Sequence, residues 1–138
     1  MKKLNLLLII LLAYCVSLSA QIEKTLAKSF DLEGSQLVRL DLPGTIEVRK
    51  WDNDILRVQM TISLDTGTEA MLKSLVTAGR YNAKSLNEDA GMKILMPNLD
   101  RELMTRGKTI TEQFSFIVFA PKNVSVQNLR DAASVSSL

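Results

Sequence analysis

Between residues 56 and 64 the sequence alternates without a break. Leu56, Val58, Met60, Ile62 and Leu64 are apolar, and Arg57, Gln59, Thr61 and Ser63 between them are polar. Successive side chains of a strand leave on opposite faces, so this run is a long strand with one buried face and one wet face. A helix would scatter the same residues around its circumference. Such a strand is stable only inside a sheet whose apolar face is covered.

The flanking sequence supplies neighbours. Ile46 and Val48 alternate with Thr45, Glu47 and Arg49, and Trp51-Asp52-Asn53-Asp54 separates that run from the next. Asp and Asn accept turn geometry and bond their own backbone, so residues 45–50 and 55–64 are expected to form a β-hairpin. Val38, Leu40 and Leu42 alternate up to Pro43-Gly44, a turn signal that predicts a third antiparallel strand. Phe30 and Leu32 mark an earlier strand ended at Gly34. Residues 80–86 and 92–97 flank Asn87-Glu88-Asp89-Ala90-Gly91, a hairpin loop, with Met92, Ile94 and Met96 alternating. Residues 98–108 are polar and charged and read as an exposed loop. In residues 114–120, Phe114, Phe116 and Val118 share one face while Ile117 and Phe119 take the other, which predicts cover on both sides. Pro121 closes that strand, and Val124 and Val126 begin a last short one. Residues 131–138 are small and polar, without a pattern.

One helix interrupts the strands. Thr66 and Glu69 have capping-box spacing, Met71, Leu72, Leu75 and Val76 recur on one helical face, and Gly79 is placed to end it in a left-handed cap. The expected fold is mainly β: antiparallel strands forming a sandwich or a short β-solenoid-like domain with one short helix.

The amino end has another purpose. Lys2 and Lys3 precede an apolar run that is interrupted only by Asn5 and ends at Val16; Ser17-Leu18-Ser19-Ala20 follow, then Gln21. Positive charge, greasy core and small-residue exit are the three parts of a secretory signal. Residues 1–20 are assigned to it, with cleavage after Ala20, or after Ser19 where Ser17 replaces the larger Leu18 at the third position before the cut. The run is shorter than the roughly 20 apolar residues of a membrane span, so an uncleaved anchor is the weaker alternative. Cys15 is the potential lipid acceptor of a lipoprotein, but Tyr14 before it is too large for that motif. Residues 21–138, about 118 of them, then form a single β-rich domain, enough to build one core. The expected location is the periplasm, or the cell surface or medium.

Removing the signal also removes charge. The full chain has 17 Lys+Arg against 15 Asp+Glu; without Lys2 and Lys3 the two balance. Nucleic acid is therefore not an expected partner. The expected partner is an envelope protein or surface component, with membrane contact only through an uncleaved signal.

Few chemistries survive inspection. The sequence has no histidine, and its single cysteine is Cys15. His- and Cys-based nucleophilic catalysis and zinc, copper or haem ligation lack their residues. Lys73 and Ser74 are neighbours on a helix and point apart. Asp52-Asn53-Asp54 could offer oxygens to calcium, but the loop lacks the glycine and distal glutamate of a calcium loop and reads as a turn. Gly107-Lys108-Thr109 matches the end of a phosphate-binding loop, yet Glu102 stands where its first glycine belongs and a strand follows. Paired carboxylates cannot be recognised from spacing alone. No catalytic, cofactor or metal residue is assigned, and the chain is expected not to be an enzyme. Trp51 is read as a plug for the end of the core, or as an exposed binding aromatic. Asn123-Val124-Ser125 is a glycosylation sequon.

Gly44-Thr45-Ile46-Glu47-Val48-Arg49-Lys50-Trp51-Asp52-Asn53-Asp54-Ile55-Leu56-Arg57-Val58 resembles the opening of the DUF4097 putative adhesin family, close to the head GIN domains of bacterial envelope proteins. Ala120-Pro121-Lys122-Asn123-Val124-Ser125-Val126 resembles the family's Pro-x-x-Val-x-Val step into stacked β-coils. The resemblance implies surface binding and transfers no functional residue. In the family repeated short strands follow that step; here Ser134-Val135-Ser136-Ser137-Leu138 is reached about one coil later, as in a short or truncated member.

Three roles are expected in order: a non-catalytic exported envelope domain, adhesin-like or structural; a periplasmic module binding a partner protein through an edge strand; and a carrier of a small hydrophobic ligand or lipid. Met60, Met71, Met92 and Met96 would line the carrier's cavity, or simply fill the core. The signal assignment is checked by mass spectrometry of the protein recovered outside the cytoplasm. Its expected first residue is Gln21, or Ala20 for the alternative cut; an intact Met1 would contradict cleavage.

Overall fold

The computed structural model describes residues 21–131. The assigned signal and the run 134–138 lie outside the described residues. The chain forms β1 (Ile22–Phe30), β2 (Leu37–Asp41), β3 (Thr45–Trp51), β4 (Leu56–Leu64), α1 (Glu69–Thr77), β5 (Lys84–Glu88), β6 (Gly91–Leu95), a 3-10 turn (Pro97–Asp100), β7 (Met104–Thr105), β8 (Lys108–Thr109), β9 (Glu112–Pro121) and β10 (Ser125–Asn128). Two four-stranded sheets, β1-β4-β9-β3 and β10-β2-β6-β5, pack face to face, and β7-β8 is a small separate hairpin. Among the described residues the fold is mainly β, as expected, with no closed barrel.

The alternating run of β4 lies where its pattern demands. Leu56, Val58, Met60, Ile62 and Leu64 are all buried. Phe116, Val118 and Ala120 of β9 continue that apolar face, and Val38, Leu40, Met92 and Ile94 cover it from the other sheet. The hairpin of β5 and β6 also forms, but it is tighter than the expected loop 87–91: Asn87 and Glu88 pair with Met92 and Gly91, and residues 80–83 precede the strand.

The expected hairpin between residues 45–50 and 55–64 does not form. β9 inserts between the two strands, antiparallel to β4 and parallel to β3. Alternation states which face of a strand is buried and says nothing about which strand lies beside it. The third strand is corrected likewise: β2 belongs to the opposite sheet, where it runs parallel to both β6 and β10. Parallel pairs thus stand beside the antiparallel ones that the sequence predicts.

Pro43-Gly44 is therefore a corner between sheets. Gly44 has φ +103°, and a Cβ there would stand 2.2 Å from the Phe114 carbonyl oxygen, so only glycine permits the approach. β1 begins well before Phe30, because Lys24 and Lys28 occupy inward positions and break the apolar pattern, and it ends at Phe30, so Leu32 is buried beyond the strand rather than in it. Residues 98–108 are more ordered than a plain loop. Leu99 and Leu103 pack on the core, and Arg106 and Gly107, at φ +52° and +76°, form the tight turn of the β7-β8 hairpin.

α1 spans nine residues, too few to persist alone, and is held by buried Leu72 with Met71, Leu75 and Val76 against the core. Gly79 ends it as predicted: at φ +83°, its N–H reaches Val76 and that of Arg80 reaches Leu75. The start is corrected. The cap is Thr68, whose side chain accepts from the Met71 N–H at 3.1 Å, while Thr66 only contacts Asp65. Thr68→Ala is expected to cost about 1 kcal/mol of unfolding free energy. Thr66→Ala is expected to stay within about 0.5 kcal/mol of the parent in urea denaturation.

Candidate functional site

A two-layer sandwich leaves two open rims where its sheets end, and a strand edge exposes backbone groups that can pair. Here the rims differ. β1 is the edge of one sheet and β5 of the other, and Lys28 of β1 donates to the Ala83 carbonyl beside β5 at 2.8 Å. α1 lies along β1 on this side, and the inward Lys24 and Lys28 place charge where a pairing strand would bury it.

The opposite rim is formed by β3 and β10, joined where the Lys50 ammonium donates to the Val124 carbonyl. Among the described residues β3 pairs only with β9, and β10 only with β2. Ile46, Val48 and Lys50 share the inward face of β3, in register with Phe116, Val118 and Ala120. Val118 is fully buried, yet Val48 beside it is 42% exposed, because nothing among the described residues covers the sandwich there. Val126 of β10 is half-buried on the same side.

The outward face of β3 is electrically balanced. Arg49 grips Glu47 with two hydrogen bonds, at 3.0 and 3.1 Å, and lies 6.0 Å from the Phe119 ring centre. Hydrogen bonding and charge from Arg49 hold the Glu47 carboxyl below its usual range.

Trp51 follows on that outward face. It neither plugs the core nor stands free. Its ring packs 5.2 Å from that of Phe119, and its indole N–H donates to the Ile55 carbonyl at 2.9 Å. It clamps the link that carries the chain from β3 across β9 to β4. Asp52-Asn53-Asp54 forms that link: Asp52 meets Lys122 at 2.7 Å, and Asn53 accepts weakly from the Ile55 N–H. Ser74 donates to the Ala70 carbonyl within the helix. Lys108 and Thr109 lie in β8, and Asn123 is exposed in the turn before β10. Met60, Met92 and Met96 are buried in the core and Met71 packs against it.

One polar cluster escapes a reading by local pattern. Arg80 donates to Glu112 twice, at 3.0 and 2.6 Å, and the two side chains are only 12% and 10% exposed. Glu112 occupies an inward position of β9, so a charge at that parity is the one available signal for a buried partner. Tyr81 lies alongside, its ring 6.0 Å from that of Phe114 and its hydroxyl buried without a hydrogen-bond partner. Burial first, then the nearby Glu112 carboxylate, pushes the Tyr81 phenol well above the ordinary tyrosine range. Hydrogen bonding to Glu112 likewise raises Arg80. The pair can hold the exit of α1 to the start of β9.

No family model matches the chain, and no curated protein matches it. Among solved structures, that of a putative cell adhesion protein from Clostridium sporogenes is distantly similar, at 9% identity with a TM-score of 0.39. The match covers 77% of this chain and 45% of that one, so this chain spans under half the length of its structural neighbour.

Tyr81 makes stability pH-dependent in one direction. A phenol whose folded value is raised stabilises below the ordinary tyrosine value near 10 and loses that contribution as pH rises above it, by at most about 1.4 kcal/mol per unit. Tyr81→Phe is expected to flatten this alkaline loss. At neutral pH it is expected to match or exceed the parent by about 1 kcal/mol, since it deletes an unsatisfied hydroxyl. Urea denaturation of both proteins at pH 8 and 11 checks it.

Proposed function

We propose that this chain is an exported, non-catalytic β-domain of the cell envelope, adhesin-like or structural, that binds an extended segment of a partner protein at the β3-β10 rim. The observation that carries this reading is the asymmetry of the rims. One has α1 along β1 and two inward lysines, Lys24 and Lys28, where β3 carries Lys50 alone. The other presents two strand edges around Ile46, the 42% exposed Val48 and Val126. Strand addition at such an edge uses backbone hydrogen bonds for affinity and alternate side-chain sites for selectivity. Because Glu47 and Arg49 neutralise each other, the fitting segment is uncharged, with apolar residues at every second position. The signal at residues 1–20 and the resemblance to the DUF4097 putative adhesin family support an extracytoplasmic setting. No helix among the described residues is long and apolar enough to cross a membrane.

The test compares two exposed apolar positions, Val48 on β3 and Leu86 on β5. A photo-crosslinking residue at position 48, in intact cells, is expected to give one discrete adduct at a yield well above that of position 86. Val126→Lys on the same rim is expected to remove it while the protein stays folded. Equal yields, or no adduct at position 48, would overturn the reading.

A further inference from the structure

The guarded rim contains an apolar cleft that edge protection does not require. Its floor is the cross-strand row Leu26, Met60 and Phe116. Val76 at the end of α1 and the Tyr81 ring roof it. Met60, Phe116 and Tyr81 are 5%, 3% and 2% exposed, so the walls are dry while the space between them, about 220 Å³, opens to the surface. Lys28 stands at the mouth. One of its three ammonium donors is taken by the Ala83 carbonyl, and the nitrogen lies 5.4 Å from the Phe30 ring centre. Among the described residues no carboxylate forms an ion pair with Lys28. Lys24 has the same inward parity on β1 but does not line the cleft, so guarding an edge explains both lysines and leaves the cavity beside one of them unexplained.

We propose that this cleft binds a small anionic amphiphile: a carboxylate that meets the Lys28 ammonium and carries a short alkyl chain or single ring into the apolar space. The size follows from volume. At about 30 Å³ per water in the liquid, the cleft holds roughly seven heavy atoms, and smaller apolar cavities than this take up benzene. The charge follows from Lys28, the charged side chain among the residues that line the cleft, with Asn82 as a polar neighbour. The site is on the rim opposite the proposed partner edge and stands independently of that reading.

The methionines provide the readout, since Met60 lines the cleft and Met92 and Met96 are buried elsewhere in the core. In protein labelled at its methionine methyls, octanoate is expected to shift the Met60 resonance saturably and leave Met92 and Met96 in place. Octanol, with a comparable tail and no charge, is expected to bind roughly tenfold more weakly. Acetate, the head group without the tail, is expected to do nothing. Lys28→Met should bring octanoate down to the level of octanol at unchanged thermal midpoint. Val76→Phe should fill the cleft and abolish both shifts; Lys28→Met, at the surface, keeps the test decisive if that variant unfolds. The proposal is overturned if Met60 does not respond to octanoate up to about 10 mM, the range of very weak binding. It is equally overturned if octanoate and octanol bind alike, or if Lys28→Met binds octanoate as the parent does.

Discussion

Everything in this structure depends on β9 lying between β3 and β4. Phe116, Val118 and Ala120 are buried on its inner face, and its backbone pairs along both sides, antiparallel to β4 and parallel to β3. A strand bonded on both edges satisfies its backbone groups inside the sheet, which a strand at the boundary cannot do. The insertion separates two runs that are neighbours in sequence. The chain must then cross the end of β9 between Trp51 and Leu56, and the Trp51 ring on Phe119 with its N–H on the Ile55 carbonyl holds that crossing. It also forces the corner at Gly44 against the Phe114 backbone, where a side chain would have no room.

The same insertion places β3 at a boundary, and that sets the asymmetry of the two rims. On the β1 side, α1, Lys24 and Lys28 make addition of a further strand unfavourable. On the β3 side the apolar row simply runs out, from fully buried Val118 to the exposed Val48. Burial of apolar surface is the main driving force for association as for folding, so an apolar row left exposed beside strand edges unpaired among the described residues is where added apolar contact would gain most. The cleft under Lys28 is of another kind: small, walled by buried side chains and bounded by one cation.

The Arg80–Glu112 pair shows the cost of joining the helix to the sheet. Two charged groups are partly removed from water and offset that loss through a two-point hydrogen-bonded contact. Tyr81 packs beside them with its ring against Phe114 and leaves its hydroxyl unsatisfied.

The sequence alone determined the face each strand buries, because period-2 alternation is a property of neighbouring residues. Leu56 to Leu64 and Phe116 to Ala120 were legible for that reason, as were the Gly79 helix stop and the β5-β6 hairpin. The balanced charge of residues 21–138 and their lack of histidine and cysteine were also legible. Strand neighbours were not. A parallel partner such as β9 for β3 comes from far along the chain, and no local pattern encodes it. The helix cap shifted from Thr66 to Thr68 because both carry the same hydroxyl, and only docking against the core decides which one starts the helix. The open rim, the half-buried Arg80–Glu112 pair and the cleft at Lys28 each arise from elements brought together across the sandwich. Only the tertiary structure could place them, since each is a relation between distant segments rather than a property of any one of them.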